Sequence, residues 1–276
     1  MLYFFRGDGK VKITYLGQEG FLIEYKETRF LTDPYLSDYV DRNSAIKDFE
    51  WIRAYAPPTD VKGLGKIDAV FLTHEHDDHT DPETIPQIVR EKENALFMIS
   101  ESKAEFLGSL GVPAERIKGA HCYERYGFND IEVIPIPAAH EELHLNTKYQ
   151  NNVYDELGYI FSTDEISVFH AGDTYDYEGL DKAILNFKGD RTLIMLLPVN
   201  GADEERRSKG IAGNMNESEA FELAKRCNAA FVIPMHHDLY PKNGVSNDEI
   251  LQSARKCEIS GRLKLLKPGE CFEFSV

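Results

Sequence analysis

The stretch "AVFLTHEHDDHTDPE" (residues 69–83) decides the fold predicted for this chain. Its apolar start predicts a β-strand, so the polar residues after it would lie on the loop where the strand ends. Three histidines and two aspartates follow within six positions: His74, His76, Asp77, Asp78 and His79. Imidazole and carboxylate are the groups that first-row divalent metals bind. The full H-x-H-x-D-H spacing therefore favours a metal site over a solvated acidic loop, and four candidate ligands on one loop favour two ions.

The same context, a strand-like run followed at once by a possible ligand, recurs three times along the chain. The runs are "IEVIPIPAAH" (131–140), "ISVFHAGD" (166–173) and "AFVIPMHH" (230–237), and they end on His140, Asp173, and His236 with His237. A lone histidine after a strand is often an ordinary polar residue. Ligands at several strand ends that converge on one sheet edge, however, are how α/β enzymes build their sites.

Ten short apolar runs bounded by Gly, Pro, Asp or Asn predict strands, and five segments between them have helical patterns. One helix is predicted to begin at Asn216, which forms a capping box with Glu219. The chain is therefore expected to be α/β, with residues 1–276 forming a single domain because no linker or repeat divides it. The long polar segments 38–65 and 141–155 are predicted to be functional loops.

Composition limits the partners of the protein. The 276 residues carry a formal charge of −16, which argues against nucleic acid as the main partner because a basic face would be needed to release counterions. The four scattered cysteines predict free thiols in a reducing compartment. No run is long enough for a membrane-spanning helix or a signal peptide. We therefore expect a cytoplasmic protein with neither a nucleic-acid nor a membrane partner.

These motifs together resemble the metallo-β-lactamase superfamily, whose fold is a four-layer αββα sandwich with two metal ions on one edge. The segment from Leu196 to Tyr240, with "PVNG", "GNM", a helix and "PMHH", is similar to the L-ascorbate-6-phosphate lactonase family. The resemblance implies that one ion is held by His74, His76 and His140. It implies that the second is held by Asp78, His79 and His236, with Asp173 bridging the two.

The resemblance also bears on residues near the predicted ligands. It prefers His236 over His237, because the ligand follows Pro234 by two residues. Asp33, in "TDP", matches a position that orients a ligand histidine, although it is equally compatible with a turn aspartate. The roles of the other histidines stay open: His121, His144, His170 and His237.

The predicted function is that of a metal-dependent hydrolase in which a metal-bound hydroxide is the nucleophile. Asp78 or Asp173 would relay a proton to the leaving group. The resemblance implies a lactonase acting on a phosphorylated sugar-acid lactone such as L-ascorbate 6-phosphate. The alternative is a phosphodiesterase acting on a small phosphodiester or a phospholipid head group. A structural or sensing metal site is a third reading, disfavoured because such sites are usually closed and hold one ion.

The resemblance further implies Mn²⁺ as the metal, with Zn²⁺ as the alternative, and assembly into a homo-oligomer. The expected substrate is a small anionic molecule. Arginine suits a phosphate group, and the basic run "RRSK" at 206–209 supplies candidates for binding it, although acidic neighbours could equally balance those charges on a solvated loop. The predicted substrate-binding residues are Asn200, Arg206 and Asn214.

Overall fold

The computed structural model describes residues 9–47, 49–140 and 151–276. The described chain forms two β-sheets. The first sheet has seven strands in the order β13-β1-β2-β3-β4-β5-β6, and the second has six in the order β12-β11-β10-β9-β8-β7. The first-sheet strands are β1 Val11–Gly17, β2 Gly20–Tyr25, β3 Thr28–Thr32, β4 Ala69–Phe71, β5 Leu96–Ser100, β6 Ile117–Ala120 and β13 Cys271–Phe274. The second-sheet strands are β7 Tyr126–Phe128, β8 Ile131–Pro137, β9 Leu157–Ser162, β10 Ile166–His170, β11 Thr192–Pro198 and β12 Phe231–Met235.

Helices cover the outer faces of both sheets. The helices are α1 Tyr39–Asn43, α2 Thr84–Glu91, α3 Ala104–Ser109, α4 Leu180–Lys188, α5 Glu204–Ser208, α6 Glu217–Arg226 and α7 Asn247–Lys256. Ile85 and Ile88 of α2 and Leu107 of α3 share one buried cluster with side chains from the outer face of the first sheet. Helices α4, α6 and α7 bury their apolar stripes in the core that surrounds the second sheet. The layer order is therefore αββα, as predicted.

Aromatic side chains join the two sheets. The ring of Phe161 on β9 lies 4.6 Å from that of Phe30 on β3 and 4.9 Å from that of Phe71, measured between centroids. Tilted and edge-on contacts at such distances stabilise aromatic pairs beyond their buried area. Because period-2 alternation sends every second side chain of β3 and β4 outward, Leu31 and Val70 reach the helix layer instead. Both faces of these strands are buried, which explains their continuous apolar sequences.

All ten predicted strands and all five predicted helical segments are present. Helix α6 has the predicted capping box between Asn216 and Glu219, and its apolar stripe is buried. All four cysteines are free, and only Cys271 is exposed. Among the helices of the described ranges, none combines the length and the apolar character needed to cross a membrane.

Segment 38–65 crosses the edge of the sandwich and contains α1. Arg53 anchors it by donating hydrogen bonds to the Ser37 carbonyl oxygen and to Asp41 Oδ1. The Ala54 amide donates to the carbonyl oxygen of Leu239, just beyond β12. The segment is thereby fixed against the carboxyl end of the second sheet, where the candidate ligands lie. The other predicted loop, 141–155, lies mostly outside the described residues, as does His144.

Candidate metal centre

The sheet topology brings the candidate ligands to one edge. Strands β3 to β6 run parallel in the first sheet, and β10, β11 and β12 run parallel in the second. Strand β8 is antiparallel to β9, which is antiparallel to β10, so β8 also ends on the same edge as β10. The chain therefore delivers its ligand-bearing loops to a single place, directly after β4, β8, β10 and β12. The residues these loops bring together are His74, His76, Asp78, His79, His140, Asp173 and His236.

The first group of ligand atoms comprises His74, His76 and His140. His76 Nδ1 lies 2.9 Å from His74 Nε2 and 3.2 Å from His140 Nε2. Burial lowers the pKa of His140 to about 4 and holds that of His74 well below its usual value, with neighbouring histidines adding to the effect for His74. These two imidazoles are therefore neutral at physiological pH, the form that binds metals.

The second group comprises Asp78, His79 and His236. Asp78 Oδ2 lies 3.8 Å from His79 Nε2 and 3.6 Å from His236 Nε2. Burial favours protonation of Asp78, but the two histidines outweigh it and hold the pKa of the carboxyl below its usual value. This group therefore offers one carboxylate and two imidazoles. His236 adopts φ 57°, a left-handed conformation that is uncommon for a residue other than glycine and is typical of functional sites.

Asp173 lies between the two groups. Its Oδ2 is 3.3 Å from His140 Nε2 and 3.6 Å from His79 Nε2, while its Oδ1 is 3.5 Å from His236 Nε2. Burial opposes ionisation, yet the surrounding histidines lower the pKa of Asp173 well below its usual value. The carboxylate can therefore contact two ions at once.

The backbone before Asp173 needs glycine. Gly172 has φ 62°, and a Cβ atom there would lie 2.4 Å from the Leu157 carbonyl oxygen. The small residue that the sequence places before Asp173 thus allows the loop to pack against strand β9. The neighbouring Thr174 hydroxyl accepts a hydrogen bond from the Ala139 amide and so ties this loop to the one that carries His140.

The donor set fits divalent cations. The buried His79 Nε2 has no hydrogen-bond partner within the described ranges, although carboxylate oxygens of Asp78 and Asp173 lie at 3.8 and 3.6 Å from it. An unpaired buried polar atom is costly unless something else satisfies it. Two His-rich groups that share a carboxylate match the ligand preferences of Zn²⁺, Mn²⁺ and related ions.

Asp33 orients two of the candidate ligands. Its carboxylate accepts hydrogen bonds from His79 Nδ1, at 2.9 Å, and from the Thr73 hydroxyl, at 2.6 Å. Since the Thr73 proton is used in that bond, the Thr73 oxygen can accept from His74 Nδ1, 3.0 Å away. Both histidines are thereby held in the tautomer whose Nε2 lone pair faces the cluster. Of the two roles weighed for Asp33, the contacts match the orienting one.

Replacing Asp33 by asparagine is expected to weaken metal binding roughly 10- to 100-fold, the usual effect of losing an outer partner of a ligand histidine. Asparagine also tolerates the φ of 36° at this position, so the backbone should persist. Calorimetric titration of the metal-free protein with Mn²⁺ or Zn²⁺ measures the change. Asp164→Asn, on an exposed turn, is the matched control. Unchanged affinity in Asp33→Asn would contradict the orienting role.

The predicted substrate-binding residues lie elsewhere than expected. The Asn214 side chain donates to Asp173 Oδ1 at 2.8 Å and to Asn200 Oδ1 at 3.0 Å, and both asparagines are buried behind the carboxylate. Arg206 points into the protein, where it bonds Asp203, Asn243 and the Asn200 carbonyl oxygen. These contacts position Asp173 and helix α5, and they leave Arg206 without a free face for a substrate.

A cavity of about 560 Å³ opens over the cluster. Five of the seven candidate ligands line it, namely His76, Asp78, His140, Asp173 and His236. Its outer wall is largely apolar and includes Val40, Ile46, Trp51 and Ile211. Among the described residues that line it, Arg207 is the one arginine or lysine, and its side chain makes no hydrogen bond or ion pair with the described residues. Segment 38–65 thus forms part of the cavity wall, as the sequence predicted for a functional loop.

Two site residues were missed from the sequence, Gln18 and Glu19. They form the turn after β1, a strand that runs parallel to β3 through β2 and so ends on the edge that carries the ligands. Gln18 contacts Asp78 and His236, and the buried Glu19 carboxylate lies 3.8 Å from His79 Nδ1. Burial and the nearby Asp173 carboxylate raise the pKa of Glu19 well above its usual value. Polar residues in a two-residue turn are ordinary, so only the direction of β1 could have signalled them.

The remaining histidines differ in their surroundings. His170 is buried, donates from Nε2 to the Glu19 carbonyl oxygen and accepts from the Gly172 amide at Nδ1, so it braces the loops around the cluster. His237 is also buried, although its ring nitrogens make no hydrogen bond within the described ranges. His121 contacts the Asn151 carbonyl oxygen away from the cluster.

Comparisons with known proteins agree with this architecture. The family described as "Beta-lactamase superfamily domain" matches residues 12–236. A UPF0173 metal-dependent hydrolase of Pyrococcus furiosus is 28% identical over 271 residues, covering 95% of this chain and 99% of that protein. One from Archaeoglobus fulgidus is 27% identical over 275 residues, covering 96% and 100%. The structure of an isothiocyanate hydrolase from Delia radicum gut bacteria superposes with a TM-score of 0.77 at 23% identity, covering 96% and 100%, a likeness of fold.

Proposed function

The chain belongs to the β-lactamase superfamily, and we propose that it is a metal-dependent hydrolase that works with two divalent ions. One observation carries the proposal: two groups of imidazole and carboxylate ligands, linked by Asp173, form the floor of a cavity large enough for a small molecule. A structural metal site is usually closed, whereas five of these ligands face the cavity. The curated relatives described as metal-dependent hydrolases support the same conclusion.

Each residue has a role in this scheme. His74, His76 and His140 would hold one ion, Asp78, His79 and His236 the other, and Asp173 both. Ions held there would polarise the substrate and lower the pKa of water enough to give a nucleophile at neutral pH. Asp33 keeps His74 and His79 oriented. Asp78 and Asp173 are the two candidate-ligand carboxylates that line the cavity, and either could pass a proton to the leaving group.

The cavity favours a small substrate that combines an apolar or neutral body with one anionic group. Its volume of about 560 Å³ is within the usual range for small-molecule sites. A substrate bound at the ligands would contact the apolar wall around Trp51 and Ile211, and it could reach the guanidinium of Arg207. Arginine recognises carboxylate or phosphate through paired hydrogen bonds. We therefore propose that Arg207, rather than the predicted Arg206, binds the anionic group of the substrate.

Within this class we propose hydrolysis of a lactone or ester, with a phosphorylated sugar-acid lactone such as L-ascorbate 6-phosphate as the first candidate. The support is the sequence resemblance from Leu196 to Tyr240 together with Arg207, the one arginine or lysine among the described residues that line the cavity. The protein loaded with Mn²⁺ or Zn²⁺ should hydrolyse such a lactone with a kcat/KM at least about tenfold above that for its unphosphorylated analogue, since one charge-assisted hydrogen bond supplies about that factor.

The test compares three substrates under the same metal loading: the phosphorylated lactone, the unphosphorylated lactone and bis(p-nitrophenyl) phosphate. Titration of released acid measures lactone opening, and absorbance of p-nitrophenol measures diester cleavage. Turnover of the diester alone would replace the lactonase with the phosphodiesterase. Equal turnover of both lactones would keep the lactonase and remove the anionic group from the proposed substrate.

A further inference from the structure

Gln18 is a buried amide at the second ion group, on a turn outside the four loops that carry the candidate ligands. We propose that Gln18 is a positioning residue for the ion held by Asp78, His79 and His236. The inference rests on the metal centre proposed above and adds to it a residue whose side chain sets the affinity of one ion and leaves the other unaffected.

The side-chain contacts of Gln18 reach two of the three ligands. Its Nε2 lies 2.7 Å from Asp78 Oδ2 and 3.1 Å from His236 Nε2. Asp78 is 60 positions away in the chain and His236 is 218. One amide therefore joins two ligands that come from different sheets, and no contact of its side chain involves the group of His74, His76 and His140.

The backbone of Gln18 is fixed by the same partner. The His236 amide donates to the Gln18 carbonyl oxygen at 2.8 Å. Both residues adopt φ 57°, a left-handed conformation that costs free energy for any residue with a side chain and persists only where the surroundings enforce it. Since Gln18 and His236 hold each other in this conformation, the amide is held at a defined place beside the ligands.

Two effects of the amide on metal binding oppose each other. The N–H bond to Asp78 fixes the carboxylate and can remain when an ion binds, because carboxylate oxygens have further lone pairs. The N–H contact with His236 uses the lone pair that an ion needs, so binding must displace it. Hydrogen bonds to ionised acceptors are about twice as strong as neutral ones, and the shorter contact is the one to Asp78. Positioning therefore outweighs competition, and the amide should favour the ion.

Two substitutions distinguish the effect of the amide group from the effect of the side-chain length. Methionine at position 18 keeps the side-chain length but has no donor. Asparagine keeps the amide and tolerates a left-handed φ, but its amide stops one methylene short of Asp78. Metal-free Gln18→Met and Gln18→Asn proteins are titrated calorimetrically with Mn²⁺ or Zn²⁺. Both should bind one ion roughly tenfold more weakly than the wild type, as expected for an outer partner of a ligand, and the other within about twofold.

The control is Gln252→Met, an equivalent change on the exposed face of α7, which should leave both affinities unchanged. If the Gln18 variants bound the ion at Asp78, His79 and His236 more tightly than the wild type does, Gln18 would be a competitor of that ion. If the affinities for both ions fell equally, the role of Gln18 would be structural. Wild-type affinity in Gln18→Asn with weakening in Gln18→Met would assign the effect to backbone strain. Each of these results overturns the proposal.

The titration uses no substrate, so its outcome is independent of the reaction. A wild-type protein that binds two ions but hydrolyses none of the three test substrates would refute the lactone and diester reactions while the Gln18 comparison stands. A wild-type protein that binds no ion would overturn both the metal centre and the role of Gln18.

Discussion

Replacing Asp173 by alanine is expected to lower kcat/KM by a factor of about 1,000 or more and to reduce the bound metal to one ion or none. The physical reason is that this carboxylate lies within 3.6 Å of imidazole nitrogens from both candidate groups, so its loss removes negative charge from both proposed ion sites at once. Losing a single electrostatic stabiliser of a transition state already costs about 100- to 1,000-fold. A residue that also holds the ions should cost at least as much.

The measurement pairs hydrolysis rates with metal content per chain. Asp176→Ala is the matched control, because Asp176 lies on the same loop but pairs with Arg226 at the surface. It should retain both ions and wild-type activity. Circular dichroism should show that Asp173→Ala remains folded. The substitution removes a charged group whose burial costs free energy, and it leaves the apolar core unchanged. An Asp173→Ala protein that keeps two ions and full turnover would show that the carboxylate does not bridge.

The strands that were predicted correctly are those whose sequences reflect burial. β8, β9, β10 and β11 are buried along almost their whole length, and a continuous apolar run bounded by turn residues follows directly from that. The three missed strands, β6, β7 and β13, lie at sheet edges and are short and largely exposed. Their hydrogen bonds come from a neighbouring strand, and a local apolar pattern carries no signal of that pairing.

The convergence of the candidate ligands could be predicted because each of them closely follows a strand-like apolar run, which is encoded locally. Parallel strands place their carboxyl ends on one edge, so His74, His140, Asp173 and His236 had to lie near each other once the strands were identified. Gln18, which contacts two of the candidate ligands, could not be found in this way. It lies on the two-residue turn between β1 and β2, where polar residues are ordinary, so its residue type carried no signal of the site.

The basic run at 206–209 shows that the sequence alone does not predict where each side chain points. A solvated loop is one of the two interpretations that the sequence allows for this run, but Asp203 caps a short helix here by accepting a hydrogen bond from the Arg206 amide. Successive residues on a helix point about 100° apart, so Arg206 and Arg207 cannot face the same partner. Arg206 turns inward to Asn243 and the Asn200 carbonyl oxygen, and Arg207 faces the cavity. Sequence alone could not choose between the two.

Removing the metal is expected to abolish hydrolysis, and adding Mn²⁺ or Zn²⁺ back should restore it and raise the melting temperature. Without cations, the charges nearest the buried carboxylates of Asp78 and Asp173 come from histidines, and two histidines of the cluster, His74 and His140, have lowered pKa values and remain neutral; the amides of Gln18 and Asn214 supply hydrogen bonds but no charge. Ions that bind only the folded chain stabilise it by about 2.7 kcal/mol at 100 times their Kd. For a chain of this size that corresponds to a shift of roughly 5–10 °C.

The experiment dialyses the protein against a chelator and follows activity and thermal unfolding as metal is returned. Ca²⁺ is the matched control ion, because it prefers six to eight oxygen ligands and should gain little from a centre with five histidines. Asp173→Ala serves as the control protein and should show a much smaller rise in melting temperature. The proposed reaction needs the ions both to bind the substrate and to activate water, so the metal-free protein is expected to have no partial activity. Full turnover in a chelated protein shown to be free of transition metal would rule out the hydrolase proposed here.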